Sequence, residues 1–160
     1  MSVAFTKEDS AETAAETMLP DRPISAAPNL VTEAGLAALQ TQFDAARAAY
    51  DAASAIEDVN ERRRQGAAPL RDLRYFAERL RTAQLMAPPA STDVVAFGHT
   101  VTYRRDDGVV QTYAIVGEDE ADPAAGSMSY VAPVAQRLAG KAVGEFVELG
   151  ERELEIIAIA

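Results

Sequence analysis

Six apolar residues, Leu36, Leu39, Phe43, Ala46, Tyr50 and Ala53, follow one another at steps of 3, 4, 3, 4 and 3. A period of about 3.5 residues draws one narrow apolar stripe down a helix. A helix cannot bury its own stripe, so the chain must supply a facing element. It does so after a polar interruption: Leu70, Leu73, Ala77 and Leu80 step by 3, 4 and 3, and Phe76 and Ala83 widen the stripe. Residues 30–87 are therefore expected to form an antiparallel coiled-coil hairpin, with the stretch 56–69 as its tip. Thr32 suits the N-cap of the first helix, and Glu33 suits the positive end of its dipole. Gly66 and Pro69 read as breakers, with Pro69 in the first turn of a second helix, where its missing N–H costs nothing. Pro88 and Pro89 stop that helix.

The charges of the two arms differ. Residues 30–61 hold 6 acids and 1 base, and residues 62–87 hold 7 bases and 2 acids. Antiparallel pairing sets the two side by side. Exposed pairs contribute only about 0.2–1 kcal/mol each, but together they favour the intramolecular hairpin over self-pairing of like arms. Residues 1–29 are rich in Ala, Ser, Thr, Glu and Pro and are expected to be a mobile N-terminal tail.

After the Pro pair the period changes to 2. His99, Val101 and Tyr103 alternate with Thr100 and Thr102. Arg105-Asp106-Asp107-Gly108 carries an Asp-Gly hairpin signal, and Val109 to Val116 reads as the next strand. An acidic loop over 117–126 follows, then strands at Ser127 to Val131, Val143 to Leu149 and Leu154 to Ile159. Pro133 to Ala139 reads as a short helix closed by Gly140. Residues 90–160 are thus expected to be an antiparallel sheet domain with one short helix, which makes the whole chain α+β.

Composition excludes several chemistries. Among 160 residues there is no Cys, so no disulfide framework and no thiolate nucleophile or metal site. No apolar run has the roughly 18–20 residues of a membrane span, and the N-terminus lacks the basic and apolar regions of a secretory signal. A cytoplasmic location is the expectation. The net charge of −10 argues against binding free nucleic acid through its phosphates and for a basic protein surface as partner. No Gly-x-Gly-x-x-Gly or phosphate-cradling Gly-Lys loop occurs. His99, the single His, has no second metal-ligating neighbour and reads as structural. The acidic loop lacks calcium-loop spacing. Asp58 and Glu61 remain, one helical turn apart and able to face one side. Two open carboxylates suit Mg²⁺, which usually takes only one or two protein carboxylates; a partner would have to supply the other ligands.

Val116-Gly117-Glu118-Asp119-Glu120-Ala121-Asp122, then Gly126, Pro133, Ala135, Leu138, Gly140, Lys141 and Val143-Gly144, resemble the C-terminal domain of the bacterial GreA/GreB transcript cleavage factors. Leu30-Val31-Thr32 with Gly35, and Leu73-Arg74-Tyr75, resemble the GreB branch. The resemblance runs over about residues 29–158. It implies an N-terminal coiled-coil hairpin and an FKBP-like C-terminal domain. It implies RNA polymerase as partner, with the domain docked at the rim of the secondary channel and the hairpin inside it. Nascent RNA would be met only within that complex. Two acidic residues at the family's tip help the polymerase hold a second Mg²⁺ for cleavage of backtracked RNA, in keeping with two-metal chemistry. Asp58 and Glu61 match that pair by spacing, as catalytic and metal-holding residues. Ala132-Pro133-Val134-Ala135 stands where the family has Ser-Pro-x-Ala, the partner-binding patch. Two departures matter. Arg62-Arg63-Arg64-Gln65 replaces the family's Asn-Ala-acid-Tyr, and arginines beside carboxylates weaken a metal site. Each arm also reads about one heptad short, roughly 10 Å of reach.

Other readings compete with transcript cleavage. The chain could modulate polymerase without cleavage, or bind another protein through its coiled coil, like the related regulator of nucleoside diphosphate kinase. An FKBP-like fold could also carry prolyl isomerase activity, although fold does not carry function. Such a site wants a pocket walled by aromatics, and residues 88–160 offer only Phe97, Tyr103, Tyr113, Tyr130 and Phe146.

Overall fold

The computed structural model describes residues 18–160. The chain forms two compact units. Of the described residues, one contains 18–26 and 39–81; the other contains 27–38 and 82–160. In chain order the elements are β1 (Leu30–Val31), α1 (Glu33–Ser54), α2 (Val59–Thr82), β2 (Gln84–Leu85), β3 (Thr100–Arg105), β4 (Val110–Val116), a 3₁₀ turn at Pro123–Ala125, β5 (Ser127–Ser129), α3 (Pro133–Leu138), β6 (Phe146–Leu149) and β7 (Arg152–Ile159).

The helical hairpin is present, with its reversal in a different place from the expectation. α1 has 22 residues and α2 has 24, or about 33 and 36 Å at 1.5 Å per residue. The first seam is as read: Leu39, Ala46 and Ala53 are buried, and Leu36, Phe43 and Tyr50 are half-buried. The chain turns over residues 55–58, not 56–69, and both Gly66 and Pro69 lie inside α2. Gly66 is buried against Tyr50 and Ala53 of the facing helix. Packing of the two stripes outweighs the local cost, about 3 kcal/mol for an interior Pro. On the return arm Leu70, Leu73, Phe76 and Leu80 are half-buried, whereas Ala77 is exposed and Arg79 is buried.

The ion pairs differ from the expected acidic-arm-to-basic-arm pattern. Arg64–Glu61 at 2.7 Å, Arg71–Asp72 at 3.1 Å and Arg81–Glu78 at 2.6 Å all close within α2. Among the described residues, Asp44 and Asp51 of α1 form no ion pair with α2. For Arg64–Glu61 and Arg81–Glu78 the partners are one turn apart on the same helix, about 5–6 Å between their Cβ atoms, and Arg71 and Asp72 are adjacent in the chain. Of the expected mobile tail, residues 1–17 lie outside the described residues. The segment just after them is held on α2. The Arg22 guanidinium lies 3.8 Å from the Tyr75 ring centroid and 3.4 Å from Asp72, and Asp21 pairs with Arg74 at 3.4 Å. Cation–π stacking with a partly desolvated Arg supplies what the segment's composition lacks.

In the second unit, β1 and β2 pair in parallel, Leu30 with Gln84 and Val31 with Leu85. These two-residue strands carry no periodicity and were not legible in the sequence. The main sheet runs β5-β4-β3-β7-β6. The β3–β4, β3–β7 and β6–β7 pairs are antiparallel, as expected, and the β4–β5 pair is parallel. The acidic loop brings the chain back only to Ala114, in the last half of β4, before β5 begins, so Ser127 meets Ala114 and Ser129 meets Val116. The Asp-Gly turn is as read: Gly108 has φ +84°, and the Val109 amide donates to Asp107 Oδ1 at 3.1 Å.

Val101, Tyr103, Ile115, Met128, Leu138, Val147, Leu154 and Ile156 form the core between the sheet and α3. Tyr103 stacks on Tyr113 and donates to Gln111 at 3.1 Å. Burial first, and then Tyr113, push the Tyr103 phenol above its ordinary range. His99 is buried and structural. Its Nδ1 accepts from the Ala96 amide at 2.9 Å, which leaves the proton on Nε2 to donate to the Ser91 carbonyl at 2.9 Å. The ring closes the loop that enters β3.

Two substitutions test this packing. A methyl on Gly117 would be driven into the Leu30 carbonyl oxygen, which is backbone. Gly117→Ala is expected to cost about 2 kcal/mol, read as a lower urea midpoint with unchanged slope. His99→Phe keeps the volume but strands the Ser91 carbonyl and the Ala96 amide, and a loss of about 2 kcal/mol is expected. An unshifted midpoint for either variant would show that the contact contributes nothing to folding.

Candidate functional site at the hairpin tip

The tip is a tight reversal held by its own polar groups. α1 frays through two turn bonds, Ala55 N to Ala52 O at 3.3 Å and Ile56 N to Ala53 O at 3.1 Å. α2 then begins under Asp58. The Glu61 amide donates to Asp58 Oδ1 at 2.7 Å, so the carboxylate caps the helix three residues on. The Arg62 side chain reaches back across the turn. Its Nε donates to the Ile56 carbonyl at 2.8 Å and its Nη2 to the Glu57 carbonyl at 2.9 Å. These bonds satisfy carbonyls that a chain reversal would otherwise leave to water.

Glu61 is engaged as well. Arg64 Nη1 donates to its Oε2 at 2.7 Å and Gln65 Nε2 to its Oε1 at 2.8 Å. Asp58 is exposed and is held through one oxygen; Glu61 is half-buried and held through both. Asp58 and Glu61 thus both belong to the tip, as the sequence reading placed them. In this arrangement one carboxylate is a helix cap and the other takes a charge-assisted bond from Arg64. Among the described residues no three His, Asp or Glu side chains gather into a metal-binding cluster.

The three arginines read as one run have separate positions. Arg62 stitches the reversal and Arg64 holds Glu61. Arg63 is exposed and, among the described residues, makes no hydrogen bond or ion pair. The sequence signal for this division was the offset from the cap: residues at +4 and +6 from Asp58 lie on different sides of α2.

The expected docking quartet is mostly interior. Ala135 is buried in the core, Ala132 and Val134 pack against it, and only Pro133, at the first turn of α3, is exposed. The large apolar side chains that do face out nearby are Val143, 54% exposed, and Phe146, 58% exposed on edge strand β6. Alternation in β6 marks Val147 as inward and Phe146 as outward, a signal available in the sequence. The acidic loop also has a structural position. Thr32 Oγ1 accepts from the Gly35 amide at 2.9 Å, as the expected cap of α1, and donates to Glu120 Oε2 at 2.6 Å. The domain's aromatics do not wall one pocket: Tyr103 stacks with Tyr113, Phe97 meets Tyr130 edge-on, and Phe146 lies on the edge.

Comparison with known proteins places this geometry. Residues 90–160 match the family model described as transcription elongation factor, GreA/GreB, C-terminal. The chain is similar to the transcription elongation factor GreA of Desulfovibrio desulfuricans, 39% identical over 119 residues, 71% of this chain and 68% of that protein. It is also similar to GreB of Neisseria meningitidis serogroup B, 39% identical over 95 residues, where it spans 56% of this chain and 58% of that protein. Among solved structures, GreA factor homolog 1 of Thermus thermophilus is 21% identical over 84% of this chain and 99% of its own, with a TM-score of 0.39. A GreA/GreB factor of Nitrosomonas europaea is 16% identical over 84% and 98%, with a TM-score of 0.40. Those two likenesses are too slight to bear on the assignment, which rests on the family model and the Desulfovibrio relative. The chain belongs to the GreA/GreB family of transcription elongation factors.

Proposed function

We propose that this chain binds RNA polymerase as an elongation factor, with the hairpin in the secondary channel and the sheet domain docked at its rim, and that it modulates elongation without presenting a metal-chelating tip. Its relatives carry the name transcription elongation factor, and a hairpin with arms of 22 and 24 residues supplies the inserted element. The observation that carries the second half is the tip itself: the Glu61 amide takes Asp58 Oδ1, and Arg64 and Gln65 take both Glu61 oxygens. A carboxylate paired at 2.7 Å to a guanidinium would have to break a charge-assisted bond before sharing a Mg²⁺ with the polymerase. Any chemistry on RNA remains the polymerase's own. The chain acts as an accessory factor, in the cytoplasm where that enzyme works, and meets nascent RNA only in the complex. On the globular side, Pro133, Val143 and Phe146 are exposed apolar groups near α3 available for docking.

The test is a transcript-shortening assay on backtracked elongation complexes with Mg²⁺, after co-purification has established polymerase binding. The wild-type chain is expected to retain polymerase and to add no shortening over the polymerase's intrinsic rate. Replacing both Arg64 and Gln65 with Ala frees Glu61 and is expected to raise shortening at least about tenfold, the worth of one charge-assisted bond. Shortening by the wild-type chain at saturation, lost in Asp58→Ala and Glu61→Ala, would restore a catalytic tip. Failure to recover polymerase would turn the reading toward a coiled-coil regulator of another protein.

A further inference from the structure

Behind the tip, within the helical unit, a cavity of about 460 Å³ opens beside residues 18 and 19. Its apolar lining is Met18, Leu19, Leu70 and the ring of Tyr50, and its charged lining is Arg62, Arg63, Arg71 and Arg74. The charges are unevenly compensated. Asp72 takes Arg71 at 3.1 Å, and Asp21 takes Arg74 at 3.4 Å between exposed side chains. Among the described residues Arg62 is held only by the neutral carbonyls of Ile56 and Glu57, which do not cancel its charge. Arg63 has no partner among the described residues. Two uncompensated guanidinium groups therefore line a cavity with an apolar, aromatic side, in a chain whose net charge is −10.

We propose that this cavity is a nucleotide site. Guanidinium groups bind phosphate through parallel N–H donors and stay charged at any physiological pH. Arg63 supplies such a group whole, Arg62 adds its charge and its remaining Nη1 donors while its Nε and Nη2 hold the turn, and the weak exposed pair with Asp21 lets Arg74 join them. The Tyr50 ring and Leu70 offer the base a flat apolar contact. The volume is that of a small-molecule site, within the usual range of about 300–1,000 Å³. An extended RNA strand does not fit the same evidence: the cavity is bounded by residues 18–19, and a polyanion approaching an acidic protein is repelled beyond the local site. Met18 and Leu19 form one wall. None of this depends on polymerase binding.

The experiment is titration calorimetry on the full-length free protein at low salt with EDTA, using GTP, ATP, pyrophosphate, guanosine and a short single-stranded RNA without terminal phosphate. One or both nucleotides are expected to bind saturably, pyrophosphate more weakly, and guanosine and the RNA not at all. Arg63→Ala touches no contact of the fold and is expected to weaken nucleotide binding about tenfold, and Tyr50→Leu to remove the advantage of nucleotide over pyrophosphate. Circular dichroism at matched helicity separates loss of the site from loss of the hairpin. No nucleotide heat at millimolar concentration, equal binding by Arg63→Ala, or tighter binding of the RNA would each overturn the proposal. A positive result with no polymerase recovery would leave it standing while the functional reading fell.

Discussion

Two long helices, each with one apolar stripe, have to meet face to face, and this requires the chain to reverse in four residues. That reversal at 55–58 is the constraint behind the tip's chemistry. A turn so short leaves carbonyls exposed at the end of α1 and amides exposed at the start of α2. The side chains that satisfy them are the polar ones at hand: Asp58 for the amide of Glu61, and Arg62 for the carbonyls of Ile56 and Glu57. Arg64 and Gln65 then close on Glu61 because helical neighbours three and four residues apart lie within reach. The tip carboxylates are therefore part of what makes the tip a tip.

Much of this was legible in the sequence, and the exceptions have physical causes. The α1 seam is an uninterrupted periodic signal, and every member of it is withdrawn from solvent. The period-2 strands and the Asp-Gly turn were equally plain, and lone His99 was correctly read as structural. The reversal was misplaced because Gly66 and Pro69 are strong local breakers, while what overrides them, the apposition of Gly66 with Tyr50 and Ala53, is a long-range contact. The β1–β2 pair joins residues more than fifty positions apart through two-residue strands, too short for any pattern. The quartet 132–135 resembled a surface motif, but a helical turn directs Ala135 inward and leaves only Pro133 out.

An arginine run next to two carboxylates looked like a block that would oppose a metal. In the structure its members divide: one stitches the turn, one neutralises Glu61, and one, beside a cavity, has no partner among the described residues. Family membership names the process, transcription elongation, and the tip geometry bears on how this member takes part in it. In the proposed function, a hairpin whose acidic groups are committed to its own fold fills the channel without serving as a ligand.

The central claim is that the Asp58 cap and the Glu61–Arg64 pair stay closed where the factor works. The most direct measurement is the structure of this chain bound to a backtracked elongation complex in Mg²⁺. The account predicts Glu61 still on Arg64, Asp58 still on the Glu61 amide, and no cation between the tip and the transcript. Density for a shared ion, with Glu61 turned away from Arg64 and toward the polymerase, would contradict it.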